Sequence, residues 1–214
     1  MARVVIFGGT GYAGGYIARE AASRGHQVIS YTRNAPEEPL DGVGYRTGSL
    51  ASPEVLTAAA ADADVLVVAV HGADVDGAPL ATYMPQLIEA VRSSGARLAF
   101  VGGAGSSLVA EGGPRLVDTP DFLDDWKPEA LAHAEVLEAL RQAPEDLDWF
   151  YVSPAALFGV FAPGESTGAY RTGGEILVTK DDGSSEISGT DFALAFVDEI
   201  ENHAHPRQRF TVGH

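Results

Sequence analysis

A chain of 214 residues that is 45% apolar is long enough to bury a sizeable core in one domain, and its 14 Lys and Arg against 30 Asp and Glu leave a formal charge of −16. That charge repels phosphate backbones, and no local basic cluster offsets it, which excludes the usual footprint of nucleic-acid binding. No apolar run has the length of a membrane-spanning helix, and zero cysteines exclude a disulfide framework and a thiolate nucleophile. The composition therefore predicts a cytoplasmic protein that acts on small molecules.

Arg3 to Phe7 reads as a buried strand, and Gly11 to Arg24 as a helix with Ala13, Ile17 and Ala21 on one face and Gly25 at its C-terminal end. A second strand follows in "HQVISYT". A short helix in "SPEVLTAAA" has Ser52 as N-cap and Pro53 at its first position. "DVLVVAV" is a third strand, apolar throughout but for its first residue, and "APLATYMPQLIEAVRSSG" a helix ending at Gly95, with Pro85 as a predicted kink. "ARLAFVGG" is the next strand, followed by a long loop from Ala104 to Lys127, a helix in "PEALAHAEVLEALRQ" and a strand in "LDWFYVS".

Near-continuous apolar strands alternating with helices imply a parallel sheet covered on both faces, an α/β doubly wound architecture of Rossmann type. After Pro154 the pattern changes. "ALFGVFAPGESTGAY" is loop-like, "EILVTKDDGSSEIS" reads as a hairpin around Asp182-Gly183, "TDFALAFVDEIE" as a helix capped by Thr190 or Asp191, and "QRFTVG" as a final strand. The expectation is a single domain over 1–214, with residues 155–190 forming most of a small substrate-side lobe at the carboxyl edge of the sheet.

The densest signal is "VVIFGGTGYAGG", a strand running straight into Gly8, Gly9, Gly11, Gly14 and Gly15. Gly8, Gly11 and Gly14 fit G-x-x-G-x-x-G between a strand and a helix, the setting in which such a triplet carries weight. Gly8 would allow the tight turn, Gly11 the approach of a pyrophosphate and Gly14 the packing of helix on strand, with the free N–H groups of the helix start facing the phosphates. Close packing alone would not call for so many glycines. An NAD site places an acid at the end of the second strand, but here Tyr31, Thr32, Arg33 and Asn34 stand there. Arg33 can pair its planar fork with a 2′-phosphate, so NADP(H) is expected over NAD(H).

These segments, with "VVAVHG", "FVGGAGS", "DWFYVSPAALF", "GAYRTGG" and "ISGTDFALAFVDEIE", resemble the atypical short-chain dehydrogenase/reductases, and more narrowly the NmrA-like NAD(P)H-binding group that includes NADH-flavin reductase-type proteins. The resemblance covers nearly the whole chain. It implies that Gly8, Thr10, Gly11, Tyr12 and Ala13 cradle the pyrophosphate and that Arg33 meets the adenosine ribose or its phosphate. Ser49 and Leu50 fall beside the adenine, where relatives often carry an Asp. Val70, His71 and Gly72 would line the ribose nearest the nicotinamide, Gly102 and Gly103 would border the nicotinamide, and Ser153, Pro154 and Ala155 would close over it.

One departure bears on mechanism. The Tyr-x-x-x-Lys of most of the superfamily is replaced on the helix by Glu129 and His133, and the serine usual after the preceding strand is a glycine, with Ser106 and Ser107 close behind. The usual proton donor is therefore missing. This favours hydride transfer to a flavin, a quinone or another small planar acceptor, with any flavin a substrate and not a bound cofactor. Ser106 and His133 are the candidate catalytic residues. A half-exposed His133 packed against the long loop is the competing expectation. Phe122 and Trp126 are candidates to stack on a planar ring, while Trp149 belongs to the core. Tyr170 and Arg171 are placed to meet the substrate's polar end. His71 with Asp74 and Asp76 lacks the ligand spacing of a calcium loop, so no metal site is expected. A non-catalytic redox sensor that binds the dinucleotide is the alternative function, an epimerase or dehydratase is disfavoured by the missing Tyr-x-x-x-Lys, and a homodimer is compatible with the sequence.

Overall fold

A computed structural model describes residues 1–214. Thirteen regular elements follow one another as β1 (Arg3–Phe7), α1 (Tyr12–Ser23), β2 (Gln27–Thr32), β3 (Val43–Thr47), α2 (Pro53–Asp62), β4 (Val65–Val68), α3 (Met84–Ser94), β5 (Arg97–Val101), α4 (Lys127–Arg141), β6 (Trp149–Ser153), β7 (Arg171–Thr172), α5 (Gly189–Asn202) and β8 (Gln208–Gly213). The sheet runs β3-β2-β1-β4-β5-β6-β8-β7, parallel except for the antiparallel β7–β8 pair at one edge. This order is the Rossmann order, in which the strand sequence reverses beside β1 and opens a crevice at the carboxyl ends.

Alternation along each strand sorts the core into two layers. Val5, Phe7, Leu66, Val68, Leu98 and Phe100 face α2, α3 and α4, while Val4, Ile6, Val65, Val67, Ala99 and Val101 face α1 and α5. Between α1 and α5, Arg24 holds Glu20, Asp198 and Glu201 at 2.6–2.7 Å. A buried pair, Arg97 Nη2 to Glu199 Oε1 at 2.7 Å, fastens β5 to α5, with the guanidinium 4.3 Å from the Phe150 ring centroid.

Four expectations are corrected. Val43–Thr47 forms a strand that the sequence pattern does not announce, because this edge segment is mostly exposed and carries Gly44 in place of an apolar residue. Pro85 lies in the first turn of α3, where its missing N–H costs nothing, so it kinks nothing; a 3₁₀ turn at Leu80–Tyr83 precedes the helix. The cap of α5 is Ser188, whose hydroxyl accepts from Asp191 N at 3.0 Å. The turn at Asp182-Gly183 forms, with Lys180 N donating to Ser184 O at 2.8 Å, but its arms do not make a regular hairpin. Leu177 N instead donates to Leu108 O at 2.8 Å, and Leu157 bridges Glu186.

The segment after β6 is stitched to the main body. Phe158 packs on Phe192 with ring centroids 4.5 Å apart. Asp191, fully buried, accepts from Ser166 Oγ, Thr167 N, Gly168 N, Ser188 Oγ and His214 Nε2 within 2.7–3.0 Å, fixing the loop at 166–168.

Candidate functional site

The end of β1 delivers the glycine loop to the crevice. Gly8 has φ +92°, and a Cβ there would sit 2.2 Å from Ala69 O, so both the turn and the contact with the β4 end demand glycine. A Cβ on Gly14 would meet Gly8 O at 2.2 Å, and one on Gly9 would meet Ser30 Oγ at 2.4 Å. Gly11 differs: its backbone is ordinary (φ −78°), and a Cβ would meet only Gly8 O, at 3.3 Å. Gly11 is nonetheless exposed, with a cleft in front of it. No side chain caps α1 and no acid lies in its first turn, so its first N–H groups and positive dipole end face that space. An uncapped helix start beside a glycine with room in front of it fits a pyrophosphate.

Two clefts lie along this edge. The first, of about 510 Å³, is lined by Arg33, His71, Ala73, Asp74, Asp76, Gly77 and Glu129, and so runs from the end of β2 past β1 to the loop after β4. The second, of about 430 Å³, brings Gly9, Thr10, Gly11 and Tyr12 together with Arg19 and Val160. All but two of the 14 Lys and Arg side chains hold a carboxylate or a backbone carbonyl; the exceptions are Arg19 and Arg33, one in each cleft.

At the far end of the first cleft, Glu129 accepts from Gly72 N at 2.8 Å and Ala73 N at 2.9 Å, with His133 Nε2 at 3.1 Å and His71 Nδ1 at 3.3 Å. Burial pushes this carboxyl up, but the bonds from His133, Gly72 and Ala73 outweigh it and bring it down to about 2. Glu129 is therefore a standing anion that latches α4 to the β4 loop. His133 is buried, not half-exposed, because the latch draws it inward; its Nδ1 has no partner. With the carboxylate ionised, Nε2 carries the proton and points it at Glu129.

The remaining candidates scatter. Ser106 Oγ is buried without a partner, while the Ser106 carbonyl accepts from Arg209 Nη2 at 3.2 Å. Ser49 hydrogen-bonds Asp76 of the loop after β4, and Leu50 is a core residue. Val70 packs against the same core, and Ala13 packs against the other layer. Ser153, Pro154 and Ala155 are buried and line neither cleft. Gly102 and Gly103 end β5 against Tyr151: a Cβ on Gly102 would fall 1.9 Å from the Tyr151 ring, and Tyr151 Oη accepts from Gly103 N at 3.2 Å and donates to the His133 carbonyl at 3.1 Å. Burial pushes the Tyr151 phenol well above its ordinary value, so it stays protonated. Tyr170 donates to Asp198 at 2.7 Å and Arg171 to the carbonyls of Thr179 and His214, which occupies the polar ends of both.

Sequence reasoning noted Glu129 only as the stand-in for a tyrosine. Its i,i+4 spacing to His133 was legible, but its grip on Gly72 and Ala73 spans more than fifty residues and has no local signature. Phe161 was likewise passed over; its ring packs at a tilt of 38° on Trp126, ring centroids 5.3 Å apart.

Residues 8–203 match the NAD(P)H-binding family. Among curated proteins, the chain is 34% identical over 215 residues to the uncharacterized protein YwnB of Bacillus subtilis (strain 168), covering 98% of this chain and 97% of that one. A solved structure from Burkholderia pseudomallei, provisionally named an exported protein, is 39% identical with a TM-score of 0.86 and full coverage of both chains. Another, from Streptococcus pneumoniae TIGR4 and provisionally named an NADH-flavin reductase, is 32% identical with a TM-score of 0.81, covering 100% of this chain and 99% of that one. The glycine loop, the strand order and these matches agree that the chain belongs to the NAD(P)H-binding family.

Proposed function

We propose that this protein is an NADPH-dependent reductase that passes hydride to a flavin, a quinone or a similar small planar acceptor. The observation that carries this reading is the Glu129–His133 pair. The helix positions that would hold a proton-donating tyrosine and its lysine hold an anion locked onto two backbone N–H groups and a histidine that aims its proton at that anion. Reduction of a carbonyl needs an acid beside the oxygen, whereas a flavin or quinone accepts hydride readily and takes its proton from water. When bound, the dinucleotide supplies that hydride from its nicotinamide. Gly11 and the start of α1 would hold the pyrophosphate, with Thr10, Tyr12 and Ala13 beside it. Glu129 would keep the β4 loop, with His71 and Gly72, in place. The provisional name of the Streptococcus pneumoniae relative points to the same chemistry.

NADPH is favoured because Arg33 is a free guanidinium at the end of β2, in a chain that commits nearly every other cation to an internal partner. The test is NADPH and NADH oxidation with FMN, riboflavin and a quinone, followed at the reduced nicotinamide band. Turnover faster with NADPH is expected. Arg33→Ala should raise the NADPH Kd by about 10- to 100-fold, the loss of a charge-assisted bond, and leave NADH nearly unchanged. Tight cofactor binding without turnover on any acceptor would overturn the reductase and leave a non-catalytic sensor.

A further inference from the structure

The lobe spans the space between the glycine loop and the start of α4. At one end Tyr12 Oη donates to Pro163 O at 3.3 Å, the Tyr12 ring meets Phe158 edge-on at 5.3 Å, and Val160 lines the second cleft beside Gly11. One residue later Phe161 packs on Trp126 at 5.3 Å, with Phe122 edge-on to the indole at 6.5 Å. Trp126 is the residue just before α4, one helical turn ahead of Glu129 in the first cleft. These rings are nonetheless unusually bare: Phe161 is 61% exposed, Trp126 41%, and Val160 beside them 80%. Exposed aromatic faces grouped next to a cleft mark a binding surface.

The charges that flank the rings in the chain are acidic apart from Lys127, while Arg19 lies with Val160 in the second cleft. Asp121, Asp124 and Asp125 flank Phe122 and Trp126 in the chain, and the neighbouring Lys127 is bound to Asp124 at 2.6 Å. Glu129 stands ionised one turn away, with Asp74 and Asp76 along the same cleft. The free cation of that cleft, Arg33, is at its β2 end, on the far side of β1.

We infer that Trp126 and Phe161 form the platform for the acceptor, and that the acceptor is a planar ring system without negative charge, such as a quinone or an isoalloxazine lacking its phosphate. The inference rests on the reductase reading above and narrows it. A ring laid on these faces gains stacking and apolar burial. A carboxylate about 8 Å from an anionic group weakens its binding by about twofold in a water-like dielectric, so about three unpaired ones at that range discriminate by about tenfold. The step balances: the ring takes a hydride from dihydronicotinamide and a proton from water, so that a quinone leaves as hydroquinone and the nicotinamide as its oxidised cation.

Trp126 supplies a readout that needs no turnover; Trp149, 2% exposed, adds a background that Phe161→Leu leaves unchanged. Riboflavin, FMN and a neutral naphthoquinone are titrated into the cofactor-free protein while tryptophan fluorescence is followed. Quenching by riboflavin and the naphthoquinone should saturate at concentrations about tenfold below FMN. Phe161→Leu, a surface change that spares the fold, should weaken both about tenfold and leave NADPH binding unchanged. Equal affinity for FMN and riboflavin, or no response to Phe161→Leu, would overturn the inference. Quenching without NADPH oxidation would keep the platform and overturn the reductase; oxidation with a KM indifferent to Phe161→Leu would do the reverse.

Discussion

Replacing Glu129 with Gln tests the latch between α4 and the β4 loop. The amide keeps the shape but offers one acceptor oxygen to two N–H donors, Gly72 and Ala73, and loses the charge facing His133. A carboxyl brought from 4.5 to about 2 corresponds to roughly 3.4 kcal/mol in full. With the side chain 37% exposed, solvent screening reduces that to about 1–2 kcal/mol. For a domain of this size the loss lowers Tm by about 3–6 °C. The sign with pH follows from the depressed value: the contribution is complete above the unfolded carboxyl range, near 4.5, and fades as pH falls toward 2. Thermal unfolding of wild type and Glu129→Gln at pH 7 and pH 3 should therefore show a gap that shrinks by about half or more at the lower pH. Equal Tm at pH 7, or a gap that stays constant down to pH 3, would refute the latch.

Two glycine substitutions separate folding from binding, and a third change tests the buried ion pair. Gly11→Ala sets a methyl 3.3 Å from Gly8 O, a close contact at ordinary backbone angles, so it should cost about 1 kcal/mol in urea unfolding yet weaken dinucleotide binding more than about tenfold by crowding the phosphates. Gly14→Ala drives its methyl into Gly8 O and should cost about 2–3 kcal/mol by the same assay. Glu199→Ala strips Arg97, 7% exposed, of its buried partner and His205 of its own; chemical denaturation should register a loss of about 3–5 kcal/mol.

The sheet and its helices were legible because Val65–Val68 and Arg97–Val101 are apolar enough to be buried on both faces, and because the glycine loop sits where a strand must meet a helix. Val43–Thr47 was not legible, since an edge strand buries too little to leave a pattern. Gly102 was readable as a glycine but not as the seat of the Tyr151 ring, a contact set by tertiary packing across forty-nine positions. The lobe was read as a region, but Phe161 was not singled out, because an aromatic residue in a loop has no period to betray its neighbour.

The near-complete internal pairing of the cations has a consequence for ionic strength. At a formal charge of −16 the folded chain repels itself, so added salt relieves the strain of compaction and steadies the fold. The same salt masks Arg33 and Arg19, the two arginines left facing the clefts beside the glycine loop. Stability and affinity for a polyphosphate ligand thus answer to salt with opposite signs, and a buffer chosen to make this protein robust will make it a poorer binder.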